Sequence, residues 1–175
     1  MAETPRERLF FALWPDPVLR SRLATLGGAV LAGAGRRVPP QRLHLTLAFV
    51  GDVAPAVRAC LLETAAGIAA APFTLTLDCL GGWRRSQVLW VGTDQKPAGL
   101  AHLVAEVRRV CVGCDVALES RPFAAHVTLA RKVRRPPAGQ PLPGLVWSVR
   151  EFALVRSVVG RGGPSYTTLA AWPLQ

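Results

Sequence analysis

The run Arg8-Leu9-Phe10-Phe11-Ala12-Leu13-Trp14 is apolar at every position after the first, has the length of a strand and stops at Pro15-Asp16-Pro17. It reads as a buried strand. Asp16 can then cap a helix that starts with Pro17 in its first turn and runs through Leu19, Leu23, Leu26 and Val30 into the glycines near Gly33 and Gly35. A second helix is expected from Pro55 to Ala70, where Val57, Leu61, Leu62, Ala65 and Ile68 recur at helical spacing and Pro72 ends the pattern. Leu100, Leu103, Val104, Val107 and Val110 mark a third, with Arg108 and Arg109 near its end where the dipole favours cations. Phe73 to Leu77 alternates with period two, and Gln87 to Gly92 is a short strand beyond a turn expected around Gly81-Gly82, so the two form an antiparallel pair. Arg134 to Pro143, rich in proline and basic residues, reads as an exposed loop. Strands over Trp147 to Ser157 and Tyr166 to Trp172 close the chain, on either side of a Gly160 to Pro164 loop.

Two further strands carry a repeated pattern. Leu43-His44-Leu45-Thr46-Leu47-Ala48-Phe49 follows Pro39-Pro40, and its core returns as His126-Val127-Thr128-Leu129 after Arg121-Pro122-Phe123, 82 residues on (126 − 44). Successive side chains of a strand point to opposite faces. His44 and Thr46 therefore share one face and Leu45 and Leu47 the other; His126 and Thr128 oppose Val127 and Leu129 in the same way. Two such strands facing each other would make a symmetric cleft of imidazoles and hydroxyls. The third histidine, His102, lies in the apolar-periodic segment Ala98 to Cys111 with no threonine two residues on, and reads as a helix-surface or boundary residue. Each motif is preceded by a strand-helix unit, so residues 1–175 read as a single bilobal domain with an internal duplication carrying its motifs at 44–47 and 126–129.

Composition narrows the chemistry. The 175 residues are 50% hydrophobic, enough to bury a full core. The net charge is +10 (21 − 11), almost all from arginine, since Lys96 and Lys132 are the only lysines. The planar guanidinium fork suits phosphate. Cys60, Cys79, Cys111 and Cys114 contain one C-x-x-C, at 111–114, and lack the spacing of a structural zinc site, so neither a metal nor a disulfide is expected. Leu9 to Trp14 is too short for a signal sequence, and no run of 18 apolar residues offers a membrane span. The expectation is a cytoplasmic monomer without a membrane partner.

The sequence resembles the bacterial RNA 2′,3′-cyclic phosphodiesterases, also called 2′-5′ RNA ligases, of the 2H phosphoesterase superfamily. The likeness spans nearly the whole chain. It rests on Arg8 to Leu13, Leu43 to Gly51, Phe73 to Asp78, Arg121-Pro122-Phe123, His126 to Arg131, and the closing Tyr166, Leu169 and Trp172. One departure is Ala125, where the family pattern has proline; it removes no catalytic group. The resemblance implies an α+β, two-lobed, pseudo-symmetric 2H phosphoesterase fold, with antiparallel sheets flanking a central cleft and helices outside. It also implies hydrolysis of 2′,3′-cyclic phosphate ends of RNA or nucleotides to 2′-phosphates, without metal or cofactor, and 2′-5′ ligation as the reverse reaction. His44 is then the proton donor and His126 the acceptor, Thr46, Thr128 and Arg131 hold the phosphate, and Phe11 and Tyr166 lie near the nucleotide. Arg131, five residues past His126, falls on the wrong face of an unbroken strand and needs a bulge or a strand end to reach the ligand.

The residues fit this chemistry by themselves. Opening a cyclic phosphate needs a base for water, an acid for the leaving ribose oxygen and donors for the phosphoryl oxygens. A non-catalytic RNA- or nucleotide-binding module of the same fold is the alternative, and the intact histidine and threonine in both motifs argue against it. A histidine-metal protein would need acidic or cysteine partners that the motif strands lack.

Overall fold

The computed structural model describes residues 6–31 and 35–175. Nine strands and three helices are present among them: β1 (Glu7–Leu13), α1 (Pro17–Leu31), β2 (Arg36–Arg37), β3 (Leu45–Val53), α2 (Pro55–Ala65), β4 (Phe73–Trp83), β5 (Val88–Thr93), α3 (Ala98–Gly113), β6 (Ala125–Arg131), β7 (Gln140–Val149), β8 (Glu151–Gly160) and β9 (Gly163–Pro173). A single 3-10 turn at Pro40–Arg42 leads into β3. The strands follow the order β7-β4-β5-β6-β3-β1-β8-β9, with β2 beside β6.

Every pairing is antiparallel, and the two motif strands are central neighbours. They touch through one register pair, Leu45 with Val127. The sheet is therefore pinched at its middle into two halves, β7-β4-β5-β6 with β2 beside β6, and β3-β1-β8-β9, and this pinch is the seam between the lobes. Asp16 caps α1 as its sequence position demands, its Oδ1 accepting from the backbone N–H groups of Val18 and Leu19 at 2.9 Å. Each long helix crosses to the other lobe: α1 follows β1 yet packs on β6, and α3 follows β5 yet packs on β3. Leu19 and Leu23 of α1 and Leu100 and Leu103 of α3 join Leu45, Leu47, Val127 and Leu129 in one buried cluster. The helices thus cover the apolar faces of both motif strands and leave their polar faces open. No described helix is long and apolar enough to cross a membrane.

Several sequence expectations are corrected. Gly81 and Gly82 lie inside β4, and the chain turns at Arg84–Gln87, where the Gln87 N–H donates to the Arg84 carbonyl. The glycines serve packing instead: a Cβ on Gly81 would meet the Trp90 ring at 2.5 Å, and one on Gly82 would meet Pro136 at 2.2 Å. The segment read as a loop through Pro143 becomes strand from Gln140, because β7 is an edge strand whose Pro141 and Pro143 can sit in the ladder without central N–H donors. The strand read from Trp147 to Ser157 is two strands divided at Arg150, since β7 pairs with β4 in one lobe and β8 with β1 in the other. The second helix ends at Ala65, short of the expected Ala70. Gly33 lies outside the described residues.

The expectation of unpaired cysteines fails as well. Cys60 of α2 is bonded to Cys114 just past α3, 54 residues away, while Cys111 of the C-x-x-C stays a buried free thiol, its pKa pushed up by burial to about 11. Burial makes Cys111 inert, and the bridge ties α2 to the end of α3, the helix that packs on β3. A closed loop of this length is worth about 4 kcal/mol in the chain-entropy account. Reduction should lower Tm by roughly 10 °C. Calorimetry with and without reductant checks this, and an unchanged Tm would show that the bridge contributes no stability.

Candidate active site

His44 stands immediately before β3 and His126 is the second residue of β6. Both strands carry the same irregularity. Against β1, Phe11 pairs with Ala48 and Ala12 with Thr46, leaving Leu47 without a partner of its own. Against β5, Leu89 pairs with Ala130 and Trp90 with Thr128, leaving Leu129 unpaired. Each bulge falls three residues after its motif histidine (47 − 44; 129 − 126). An extra residue resets the alternation of faces, so Leu47-Ala48 and Leu129-Ala130 are buried in succession and the next residue returns to the polar face. In β6 that residue is Arg131, which lines the cleft despite its odd offset. In β3 it is Phe49, 59% exposed, at the equivalent position.

The cleft has a volume of about 1380 Å³ and brings together His44, Thr46, His126, Thr128, Arg131 and Tyr166. Arg8, Arg36, Arg37, Arg42, Arg85, Arg108 and Arg121 also line it, against one carboxylate, Glu119. Such a field of guanidiniums concentrates anions. Among the described residues no group of three or more metal-ligating side chains occurs.

The two imidazoles are held by matching bonds. His44 Nδ1 lies 2.6 Å from the carbonyl oxygen of Arg42, and His126 Nδ1 lies 2.8 Å from that of Ala124. A carbonyl only accepts, so each Nδ1 carries the proton and each Nε2 is left to exchange protons with whatever enters the cleft. Burial holds both rings below the ordinary histidine range. For His44, burial outweighs the bond to Arg42, and the nearby His126 and Arg131 push the same way, to about 4. His126 is lowered by burial and by Arg131, against the bond to Ala124. Near neutral pH the empty cleft therefore holds two neutral imidazoles, and an anion between them would raise both.

Aromatic rings brace each histidine. His44 packs against Phe10 (4.9 Å between centroids), Tyr166 (5.2 Å, edge on) and Trp14 (5.4 Å). His126 meets Trp83 edge on at 4.6 Å, and Trp83 in turn leans on Trp90. Phe11 does not belong here. It is 0% exposed and packs with Phe152 and Trp172 on the core side of β1, so Phe10, its neighbour in sequence, takes the place on the cleft side. Phe10 escaped the sequence reading because β1 is buried on both faces, which erases the alternation that would have told the two phenylalanines apart. Trp83 and Phe49 were also missed, the first because Gly81-Gly82 suggested a turn just before it, the second because its return to the cleft depends on the bulge. His102 stays on the helix surface, its Nε2 3.0 Å from the Ala69 carbonyl, and takes no part.

This two-lobed antiparallel scaffold, open along paired His-x-Thr strands, is the 2H phosphoesterase fold. The chain belongs to the 2′-5′ RNA ligase superfamily, whose family model matches residues 15–161. It is 38% identical over 171 residues to the RNA 2′,3′-cyclic phosphodiesterase of Escherichia coli K12, covering 96% of this chain and 97% of that protein. The protein of the same name from Thermus thermophilus is 32% identical, over 96% of this chain and 90% of its own length. Among solved structures, E. coli LigT in complex with 3′-AMP superposes with a TM-score of 0.89 at 36% identity, covering 97% of this chain and 99% of LigT.

Proposed function

We propose that this protein is an RNA 2′,3′-cyclic phosphodiesterase that converts terminal 2′,3′-cyclic phosphates to 2′-phosphates by acid–base catalysis between His44 and His126. The observation that carries the reading is the matching pair of Nδ1-to-carbonyl bonds, which leave two Nε2 atoms free in one arginine-lined cleft. The names of the E. coli and T. thermophilus relatives support it. His126 Nε2 takes a proton from water, the water oxygen bonds to phosphorus, the bond from phosphorus to the 3′ oxygen breaks, and His44 Nε2–H protonates that oxygen. The Thr46 and Thr128 hydroxyls donate to the non-bridging oxygens while Arg131 balances their charge. With the 5′ hydroxyl of a second strand in place of water, the same step is 2′-5′ ligation: His126 takes the hydroxyl proton, its oxygen bonds to phosphorus, and His44 protonates the departing 3′ oxygen. The matching bulges and Nδ1-to-carbonyl bonds support an origin of the single bilobal domain by internal duplication.

Both rings are held below the ordinary histidine range by burial, so near neutral pH neither carries the catalytic proton in the free protein. Turnover needs it on His44, and the phosphate, lying against both rings, is what makes that microstate reachable. Thr46→Val or Thr128→Val removes one donor each and should lower kcat about a hundredfold. Steady-state assays on a 2′,3′-cyclic nucleotide check this; a loss of less than about threefold in both would remove the hydroxyls from the mechanism. The reading itself is tested by incubating the protein, in excess EDTA, with RNA ending in a 2′,3′-cyclic phosphate. Loss of the cyclic end is expected, and its persistence would contradict the reading.

A further inference from the structure

Arg36 of β2 is the direct cross-strand partner of Arg131 on β6. Like charges placed opposite one another in an antiparallel pair repel. A third guanidinium joins them: Arg36 and Arg42 both donate through Nη2 to one acceptor, the carbonyl oxygen of Gly162 at the tip of the β8–β9 hairpin, at 3.1 and 3.3 Å. None of the three has a carboxylate partner among the described residues, whose ion pairs are Arg58 and Arg156 with Glu7, Arg109 with Glu106 and Arg121 with Glu119. Two charged forks on one neutral oxygen is poor compensation, whereas a phosphate offers several charged oxygens that such forks bind in bidentate fashion.

The close approach is built into the chain. Gly163 has φ +97°, a conformation that favours glycine, and a Cβ there would lie 2.7 Å from Arg42 Nη1, so the hairpin tip passes directly against the arginine. Arg42 also fixes the reacting centre, since its carbonyl holds His44 Nδ1 while its side chain reaches the hairpin. Arg36 and Arg42 thus line the same cleft as the histidines.

We propose that Arg36 and Arg42 form a second anion subsite that holds the phosphodiester immediately 5′ of the terminal nucleotide, so that the cleft is built for a polynucleotide end over a mononucleotide. The proposal rests on the preceding reading of the cleft. With the terminal cyclic phosphate between His44 and His126 and beside Arg131, the same nucleotide's 5′ phosphate is the next charge along the chain, and Arg36, paired with Arg131, is the next cation along the cleft. The phosphate replaces the Gly162 carbonyl as acceptor, and that exposed carbonyl turns to water.

The test is calorimetric titration with three product-like ligands that need no turnover: a nucleoside 2′-monophosphate, the nucleoside 2′,5′-bisphosphate, and a dinucleotide ending in a 2′-phosphate. The bisphosphate and the dinucleotide should bind about tenfold or more tightly than the monophosphate at low salt. The double variant Arg36→Gln, Arg42→Gln should bring all three within about threefold of one another and make the salt dependence of dinucleotide binding shallower by roughly one to two in slope. Equal affinities in the wild type, or an undiminished advantage in the double variant, overturns the subsite. Tight binding of the bisphosphate without the dinucleotide overturns its assignment to a polynucleotide. Because these ligands are not turned over, failure of the cyclic phosphodiesterase reading shows separately, as an unchanged cyclic end in the assay above.

Discussion

His44→Ala and His126→Ala should each lower kcat about a thousandfold or more while the protein stays folded. In the proposed mechanism each ring supplies one proton transfer in the transition state, and each is presented on the open face of a strand whose other face, Leu45 and Leu47 or Val127 and Leu129, is what anchors it in the core. Circular dichroism separates loss of function from loss of fold. The two act as a unit, so the double variant should be about as slow as the slower single one and far faster than the product of the two losses suggests. A single variant at near-wild-type rate would remove that histidine from the chemistry.

The pH dependence should differ between kcat/KM and kcat. Both imidazoles of the empty cleft titrate below the ordinary value near 6.5, His44 near 4. Catalysis needs one proton on the pair. As pH rises above the upper of the two free-protein values the singly protonated form disappears, so kcat/KM should already be falling by about tenfold per unit at neutral pH. As pH falls past the lower value both rings are protonated, the base is lost and the rate falls again. The optimum of kcat/KM therefore lies on the acid side of 6.5. Bound phosphate raises both values, so the bell for kcat should be displaced upward in pH. The two limbs of each bell belong to the coupled pair. Steady-state kinetics on a cyclic nucleotide from about pH 4 to about pH 9 gives both profiles; coincident bells would mean that the anion does not set the protonation state.

Local chemistry was readable along the chain wherever a few neighbouring residues decide the outcome. Asp16 before Pro17 announced a capped helix, the repeated His-x-Thr-Leu announced the shared polar face, and proline and glycine placed most breaks. What escaped depends on partners distant in sequence. Leu47 and Leu129 look like ordinary alternating residues, and only the registers of β1 and β5 make them bulges that turn Phe49 and Arg131 back to the cleft. Gly81 resembles a turn residue until the Trp90 ring is laid across it. Cys60 gives no local sign that Cys114 will sit beside it, because α2 and α3 meet only after the helices have packed. Phe10 and Phe11 are equivalent in a run buried on both sides, and the choice between cleft and core is made by His44 and Tyr166 on one side and by Phe152 and Trp172 on the other.

The proposed mechanism has the cyclic phosphate lie with its 3′ oxygen toward His44 Nε2, so that water activated at His126 leaves a 2′-phosphate. The most direct measurement is to run the reaction to completion on a 2′,3′-cyclic-phosphate-ended RNA and digest the product with a phosphatase selective for 3′-phosphate. The new phosphate is expected to resist release; extensive release would show that the 2′ oxygen departs and that the ring is held the other way round between the two histidines.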